Sequence, residues 1–131
     1  MFGKKSLVAA SIILATVAIT GCKSAPVQNV VDAPVTTATQ KYAQDDVRKA
    51  ILNAGAKLGW QMKDVEPGYM IATLTLRTHL AQVDIHYNKQ NYNIVYKNST
   101  NLDYDGTSIH SNYNGWIQNL DNAIRANLSA L

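Results

Sequence analysis

The chain has 131 residues, with 12 Lys and Arg against 9 Asp and Glu, and a single cysteine, Cys22. This length suits one modest domain, and one cysteine excludes an internal disulfide. Lys4 and Lys5 lie in an N-terminal segment that we expect to be removed, which leaves 10 basic against 9 acidic residues. Because nucleic-acid binding needs a basic surface, we expect no nucleic-acid partner.

The first 21 residues have the layout of a bacterial secretory signal peptide. Two lysines precede the apolar run Leu7–Ile19, which is shorter than the about 20 residues of a membrane-spanning helix. The motif ITGC at 19–22 then resembles a lipobox. This resemblance implies that cleavage occurs before Cys22 and that the cysteine receives a diacylglyceryl group and an N-acyl chain such as palmitate. Several acyl chains make a stable membrane anchor. An ordinary signal peptide followed by a free cysteine is the alternative.

The residues after the cysteine predict a location and a tether. Lys23 stands where many inner-membrane lipoproteins have Asp, so by resemblance to that sorting rule we expect the periplasmic face of the outer membrane, with the inner membrane as the alternative. Residues 22–41 contain two prolines and show no helical or strand period. We therefore expect a lipidated cysteine and a flexible tether over 22–41, followed by a single domain over 42–131.

The domain begins with a predicted amphipathic helix. Asp45 and Asp46 suit an N-cap and a first-turn acid, and Gly59 suits the end of the helix. The apolar positions between them have helical spacing: Val47, Ala50, Ile51, Ala54 and Leu58.

Residues 60–97 alternate between apolar and polar side chains, which predicts a meander of antiparallel strands. Two-residue turns at Thr78-His79 and Lys89-Gln90 keep the apolar side chains on one face. The predicted pairs include Leu74 with Val83, Ile85 with Ile94, and Val83 with Tyr96. The first hairpin needs one extra residue, a bulge with Gly68 at positive φ, to bring Trp60 and Met62 to that face.

A second amphipathic helix is predicted, with an apolar stripe at helical spacing from Tyr113 to Leu131 and with Thr107 or Ser108 as its N-cap. Two helices and one amphipathic sheet predict an α+β fold. We expect a two-layer sandwich in which an antiparallel meander of three to four strands carries two helices on one face, in the order α-β-β-β-β-α.

The segments YNIVYKNSTNLDYD at 92–105 and IHSNYNGWIQNL at 109–120 resemble a family of small proteobacterial lipoproteins of uncharacterised function. The resemblance covers the chain from about Trp60 to Leu120. It implies an envelope lipoprotein, and it assigns no activity and no functional residue.

Metal and cofactor chemistry find little support in the sequence. The histidines His79, His86 and His110 lack the spacing of zinc ligands. The stretch 103–106, DYDG, resembles part of a calcium loop, but it lacks the third acid and the distal Glu of that loop. A turn rich in Asp and Gly explains it without an ion. We expect no metal and no cofactor.

Catalysis has one candidate, a small hydrolase in which His110 acts with Asp103 or Asp105. The chain has no strand–turn–helix elbow that would expose a nucleophilic serine. We therefore expect no catalytic residues and no enzyme activity.

Binding is the favoured function. Side chains predicted to point away from the helices, or to lie in the polar loop after the sheet, are the candidate partner-binding residues: Arg77, Asp84, His86, Lys97, Tyr104, His110, Asn112 and Asn114. Tyr104 and Tyr113 offer flat stacking surfaces. We expect a lipid-anchored envelope protein that binds or scaffolds a protein partner. A peptidoglycan-binding module is an alternative, and a sheet face that merely contacts water is the simplest one.

Overall fold

The computed structural model describes residues 23–131, so the predicted signal peptide and Cys22 lie outside the described residues. The described chain forms seven strands and two helices. In chain order they are β1 Ser24–Pro26, β2 Val30–Pro34, α1 Gln44–Lys57, β3 Gln61–Glu66, β4 Tyr69–Leu76, β5 His79–Tyr87, β6 Asn91–Thr100, β7 Ser108–His110 and α2 Ser111–Ser129.

Five strands form one antiparallel sheet in the order β2-β6-β5-β4-β3, and β1 pairs with β7 in a two-stranded sheet. The helices α1 and α2 contact each other, and their buried residues share one core with the larger sheet. The predicted two-layer α+β sandwich is confirmed. Strands β3 to β6 are the predicted meander. β2 adds a fifth strand to this sheet, whereas β1 and β7 form the separate two-stranded sheet.

The segment 23–41 is part of the fold, so the predicted flexible tether is wrong for these residues. β1 pairs with β7, and β2 adds to β6 at the edge of the larger sheet. Ala33 is buried in the core, and three valines pack against it: Val27, Val30 and Val35. Both strands are short and bury few side chains, so the sequence shows no strand period there. Their ladder hydrogen bonds and apolar contacts nevertheless bind them to the domain. The domain therefore extends upstream of Tyr42.

Helix α1 follows the prediction closely. It begins at Gln44 after the N-cap residue Ala43, whose backbone N–H donates to the Asp46 carboxylate at 2.8 Å. Asp45 lies inside the first turn and is not the N-cap. Gly59 adopts φ 90°, a conformation that favours glycine and stops the helix.

Two of the three predicted hairpins are confirmed in detail. The β3–β4 register shifts between Asp64 and Glu66, and Gly68 has φ 87°, as the predicted bulge requires. In the β5–β6 pair, Ile85 lies opposite Ile94 and Val83 opposite Tyr96, as predicted.

The predicted register of the β4–β5 hairpin is wrong by two residues. Leu74 lies opposite Ala81, and the turn consists of Arg77 and Thr78. Arg77 has φ 56°, which lets the chain turn there. Because side chains alternate with a period of two, a slip of two residues leaves each one on its predicted face.

Helix α2 starts later than predicted because residues 108–110 form β7. His110 is the N-cap, and its Nδ1 accepts a hydrogen bond from the backbone N–H of Asn112 at 3.2 Å. The predicted apolar stripe is buried along the helix: Tyr113, Ile117, Leu120, Ile124 and Leu128.

Candidate functional site

The larger sheet has one face that carries neither helix, and this face contains the candidate site. The opposite face forms the core through residues such as Met70, Val83 and Ile94. The helix-free face presents the alternate side chains of three strands, which are half-buried or exposed: Tyr69, Ile71, Thr73, Gln82, Asp84, His86, Asn93 and Val95.

A cluster of four side chains lies on this face. The Tyr69 hydroxyl donates to the Asp84 carboxylate at 2.5 Å, and the Lys97 ammonium lies 3.6 Å from the same carboxylate oxygen. The Tyr69 ring stacks on His86, with centroids 4.5 Å apart and planes inclined by 8°. We call Tyr69, Asp84, His86 and Lys97 the face cluster. Three of its members were predicted, and Tyr69 was not.

The strand geometry explains why these groups meet. Tyr69 lies directly opposite His86 in the β4–β5 ladder, and His86 lies opposite Asn93 in the next. Asp84 precedes His86 by two residues on β5, so both side chains point to the same face of the sheet. Lys97 comes two residues after Val95 on β6, so it points to the same side and reaches Asp84.

The electrostatics of the face cluster keep the Tyr69 hydroxyl as a hydrogen-bond donor. The hydrogen bond to Asp84, together with burial, raises the pKa of Tyr69, so its hydroxyl stays protonated and serves as a donor. The ion pair between Asp84 and Lys97 is long and partly exposed, so it contributes little to stability. A fixed aromatic pair, a carboxylate and an ammonium are thus available to a partner.

Apolar side chains flank the carboxylate. Ile71 on β4 and Val95 on β6 lie directly opposite Asp84 on its two sides. On the same face, the Gln82 amide donates to the Thr73 hydroxyl at 3.1 Å. The helix-free face therefore combines apolar side chains with polar and aromatic ones, the mixture typical of protein interfaces.

Arg77 lies apart from the face cluster, in the turn at the tip of the β4–β5 hairpin. Its neighbour Thr78 accepts a hydrogen bond from the Asn101 amide at 2.7 Å. The hairpin tip is thereby joined to the loop that follows β6.

Tyr104 is 41% exposed and stacks on Tyr96 at 4.1 Å. The two rings border an open depression of about 450 Å³ whose other walls are mostly polar: Lys97, Asn98, Ser99, Asn101, Leu102 and Asp103. Tyr113, the second predicted stacking surface, is wholly buried and meets Tyr96 edge-on. Its burial raises the pKa of Tyr113, and its hydroxyl has no hydrogen-bond partner among the described residues.

His110 and the acids of the loop do not form the pair that a hydrolase would need. The Asp105 carboxylate accepts hydrogen bonds from the backbone N–H groups of Thr107 and Ser108. His110 Nδ1 accepts from Asn112 instead. Within residues 23–131, neither Asp103 nor Asp105 forms a hydrogen bond or an ion pair with His110.

The two asparagines at the start of α2 have different environments. Asn112 is exposed in the first turn. Asn114 is only 9% exposed, and its side chain accepts from Gln28 N at 3.0 Å and donates to Pro26 O at 2.9 Å. Asn114 therefore holds the N-terminal segment in place and is not available to a partner, contrary to the prediction.

Sequence reasoning missed a cleft of about 520 Å³ between the start of α1 and the β3–β4 hairpin. Arg48 lines this cleft and contacts Asp45 at 2.7 Å and Asp64 at 2.9 Å. The one signal in sequence is the spacing of Asp45 and Arg48 on one helix face. Because these charges satisfy one another, the cleft offers a ligand few unpaired groups.

The part of the chain that the structure describes contains no group of three or more His, Cys, Asp or Glu side chains that could hold a metal ion. No helix within residues 23–131 has the length and hydrophobicity needed to cross a membrane.

Comparison of the chain with protein-family models, with curated proteins and with solved structures finds no match.

Proposed function

We propose that this chain is a lipid-anchored protein of the bacterial envelope that binds a protein partner through the helix-free face of its sheet. The observation that carries the binding proposal is the face cluster, an aromatic pair and a shared carboxylate fixed on a sheet face that neither helix covers. The anchor proposal rests on the resemblance of residues 19–22 to a lipobox.

The chemistry of the face favours a protein partner over a reaction. Tyr69 and His86 present a rigid aromatic surface, and aromatic residues are enriched at the energetic centres of interfaces. Ile71 and Val95 add apolar area beside Asp84. No serine or cysteine nucleophile belongs to the face cluster, so we propose a non-catalytic role.

Site-specific photo-crosslinking in intact cells tests the binding proposal. A photoreactive residue at Ile71 or Val95 is expected to form adducts with an envelope protein. The same residue at Lys49, which is exposed on α1, is the control and should form none. Equal adduct yields at all three positions would contradict the proposal.

The face cluster itself is tested by replacing Tyr69 and His86 with alanine in the crosslinking chain. Loss of a central aromatic contact costs about 2 kcal/mol of binding, which is roughly a thirtyfold loss of affinity. Thermal unfolding of the same variants shows whether the fold persists. Unchanged adduct yields from a folded double variant would exclude the cluster as the binding site.

Metabolic labelling tests the anchor. Cys22→Ala should abolish incorporation of labelled palmitate, and continued labelling would refute lipidation at this residue. The proposed outer-membrane location has a separate test. Lys23→Asp should move the protein toward inner-membrane fractions in an enteric host, and unchanged fractionation would remove the reason for choosing that membrane.

A second candidate function is binding of peptidoglycan in the depression beside Tyr104. The stacked, partly exposed ring of Tyr104 and the amide side chains of Asn98 and Asn101 suit a sugar, which presents both a flat face and hydroxyl groups. Retention on purified peptidoglycan, reduced by Tyr104→Ala, would support this function. Absence of retention would exclude it.

A further inference from the structure

The first described residues are bound tightly to the domain. The backbone N–H of Ser111 donates to the carbonyl oxygen of Lys23 at 2.5 Å, and Ser24 pairs with His110 in the two-stranded sheet. Cys22 is the next residue upstream, so by covalent geometry its Cα lies about 3.8 Å from that of Lys23. A lipid on Cys22 would therefore leave the protein at this end of the domain, with no tether between them.

Several other segments meet at the same end. The His110 ring lies 6.5 Å from the His79 ring, and His79 Nδ1 donates to the carbonyl oxygen of Asn101 at 2.7 Å. Asn101 in turn contacts Thr78. We call this surface the anchor end, and it consists of Lys23, Leu76–His79, Asn101–Tyr104 and His110–Asn112. The turns at Pro67–Gly68 and Lys89–Gln90 lie at the opposite end of the same strands.

The composition of the anchor end matches a membrane surface. Lys23 and Arg77 are exposed cations, and Asp103 alone is acidic among the residues of this surface. Leu76 is 47% exposed, and Tyr104 is also exposed, which places apolar area beside the cations. Anionic headgroups attract Lys and Arg, while tyrosine and leucine side chains are favourable at the boundary with the acyl chains.

We propose that the anchor end lies on the bilayer surface, with Lys23 and Arg77 on anionic lipid headgroups and Leu76 in the interface. This inference rests on the proposed lipid anchor. It adds that the domain is held in one orientation, with the strands of the larger sheet rising from the membrane. The face cluster is then presented sideways, toward partners in the same membrane plane.

Fluorescence quenching on the reconstituted lipoprotein tests the orientation. The full, lipidated chain carries one added cysteine, labelled with a fluorophore, in vesicles of phosphatidylethanolamine and phosphatidylglycerol that contain nitroxide-headgroup lipid. The lipidated Cys22 does not react with the label. Asn112→Cys reports on the anchor end, and Gln90→Cys reports on the opposite end as the matched, exposed control. Quenching is expected at position 112 and not at position 90, and equal quenching at both would overturn the proposal.

Charge removal tests the headgroup contact. Each of Lys23→Gln and Arg77→Gln should reduce the ratio of quenched to unquenched label at position 112 by about fivefold. Lys49→Gln, on the exposed side of α1, should leave that ratio unchanged. Omission of phosphatidylglycerol should also reduce this ratio, because it removes the anionic headgroups that the two cations contact. Quenching that resists both treatments would overturn the role of the cations.

Vesicle flotation separates failure of this inference from failure of the anchor. A chain that does not float with vesicles lacks the lipid anchor, which would refute the proposed function and this inference together. A chain that floats while its label at position 112 remains unquenched would refute the orientation alone.

Discussion

Arg77 occupies a backbone conformation that its side chain does not favour. Four described residues other than glycine have positive φ: Asp32, Arg77, Asn101 and Asp103. Asn and Asp tolerate this conformation because their short polar side chains form local hydrogen bonds, whereas an arginine gains no such compensation. The two-residue β4–β5 turn forces φ 56° on Arg77. Retained strain of this kind suggests a role for the side chain, and the proposed headgroup contact supplies one.

Replacing Arg77 with glycine should therefore stabilise the domain. Glycine reaches positive φ without steric cost, so we expect the free energy of unfolding to rise by about 1 kcal/mol. Arg77→Ala is the matched control, since it removes the guanidinium and keeps the strain. Urea denaturation of both variants provides the measurement. Equal stability of the two variants would show that the strain is no larger than the entropic cost of ordering glycine.

Asp105 should make the stability of the domain depend on pH in the acidic range. Backbone N–H groups of Ser108 and Thr107 donate to its carboxylate and lower the pKa of Asp105 from the usual 3.8. A carboxylate with a depressed pKa in the folded state stabilises the fold above its unfolded pKa of about 3.9 and loses that contribution as pH falls through the folded value.

The variant Asp105→Asn tests this dependence. The wild type should be the more stable protein near neutral pH, because a charged acceptor forms stronger hydrogen bonds than an amide oxygen. The difference should shrink below pH of about 4 as Asp105 becomes protonated. Unfolding midpoints of both proteins across a pH series measure it. Parallel pH profiles for the two proteins would show that the loop does not favour the ionised form.

The two helices contain glycines in opposite environments. A Cβ added to Gly55 in α1 would lie 2.2 Å from Sδ of Met62 on β3, whereas a Cβ added to Gly115 in α2 would have no neighbour within 4 Å. Gly55 thus permits the close approach of helix and strand. Gly115 has no such packing role.

Alanine substitutions at the two positions should have opposite effects on the stability of the domain. Gly115→Ala should stabilise the domain by up to about 1 kcal/mol, because alanine is the better helix former. Gly55→Ala should destabilise it by about 1 kcal/mol, since displacing Met62 costs more than the helix propensity gained. Chemical denaturation measures both. In a Met62→Ala background the penalty at Gly55 should vanish, and a penalty that persists there would assign the cost to another contact.

The strand pattern predicts faces better than registers, and the β4–β5 hairpin shows why. Alternation has a period of two, so pairing Leu74 with Val83 or with Ala81 leaves both side chains in the core. The turn residues choose between these registers, and arginine at positive φ is not a turn signal that sequence offers. The predicted pairing of Leu74 with Val83 implies that Ile71 lies opposite His86, whereas Tyr69 occupies that position. Tyr69 was missed for this reason, and the face cluster was predicted incompletely.

The strands β1 and β2 were not predictable for a different reason. Their pairing partners lie far away in sequence, with Ala25 opposite Ile109 and Val30 opposite Ile94. The prolines at 26 and 34 favoured a loop, although proline is acceptable on an edge strand, where its missing N–H faces solvent. Local composition therefore favoured an irregular segment, whereas pairing with distant residues forms two strands there.

The N-terminal segment, residues 23–41, closes the fold. Asn114 bridges Gln28 and Pro26, and the side chain of Asn29 accepts a hydrogen bond from Tyr96 N at 2.9 Å. β2 covers the edge of β6, which would otherwise leave a long row of backbone groups unpaired. The segment that would connect the domain to a lipid is thus also a structural part of it.

A chain that begins at Tyr42 should consequently be much less stable than one that begins at Lys23. Removal of β1 and β2 leaves Asn114 without its two partners in the interior and exposes apolar area around Ile94. We expect the free energy of unfolding to fall by several kcal/mol, a large fraction of the total for a domain of this size. Urea denaturation of the two chains measures the loss, and amide exchange at Tyr96 locates it. Equal midpoints would show that β1 and β2 add no stability, as the predicted flexible tether requires.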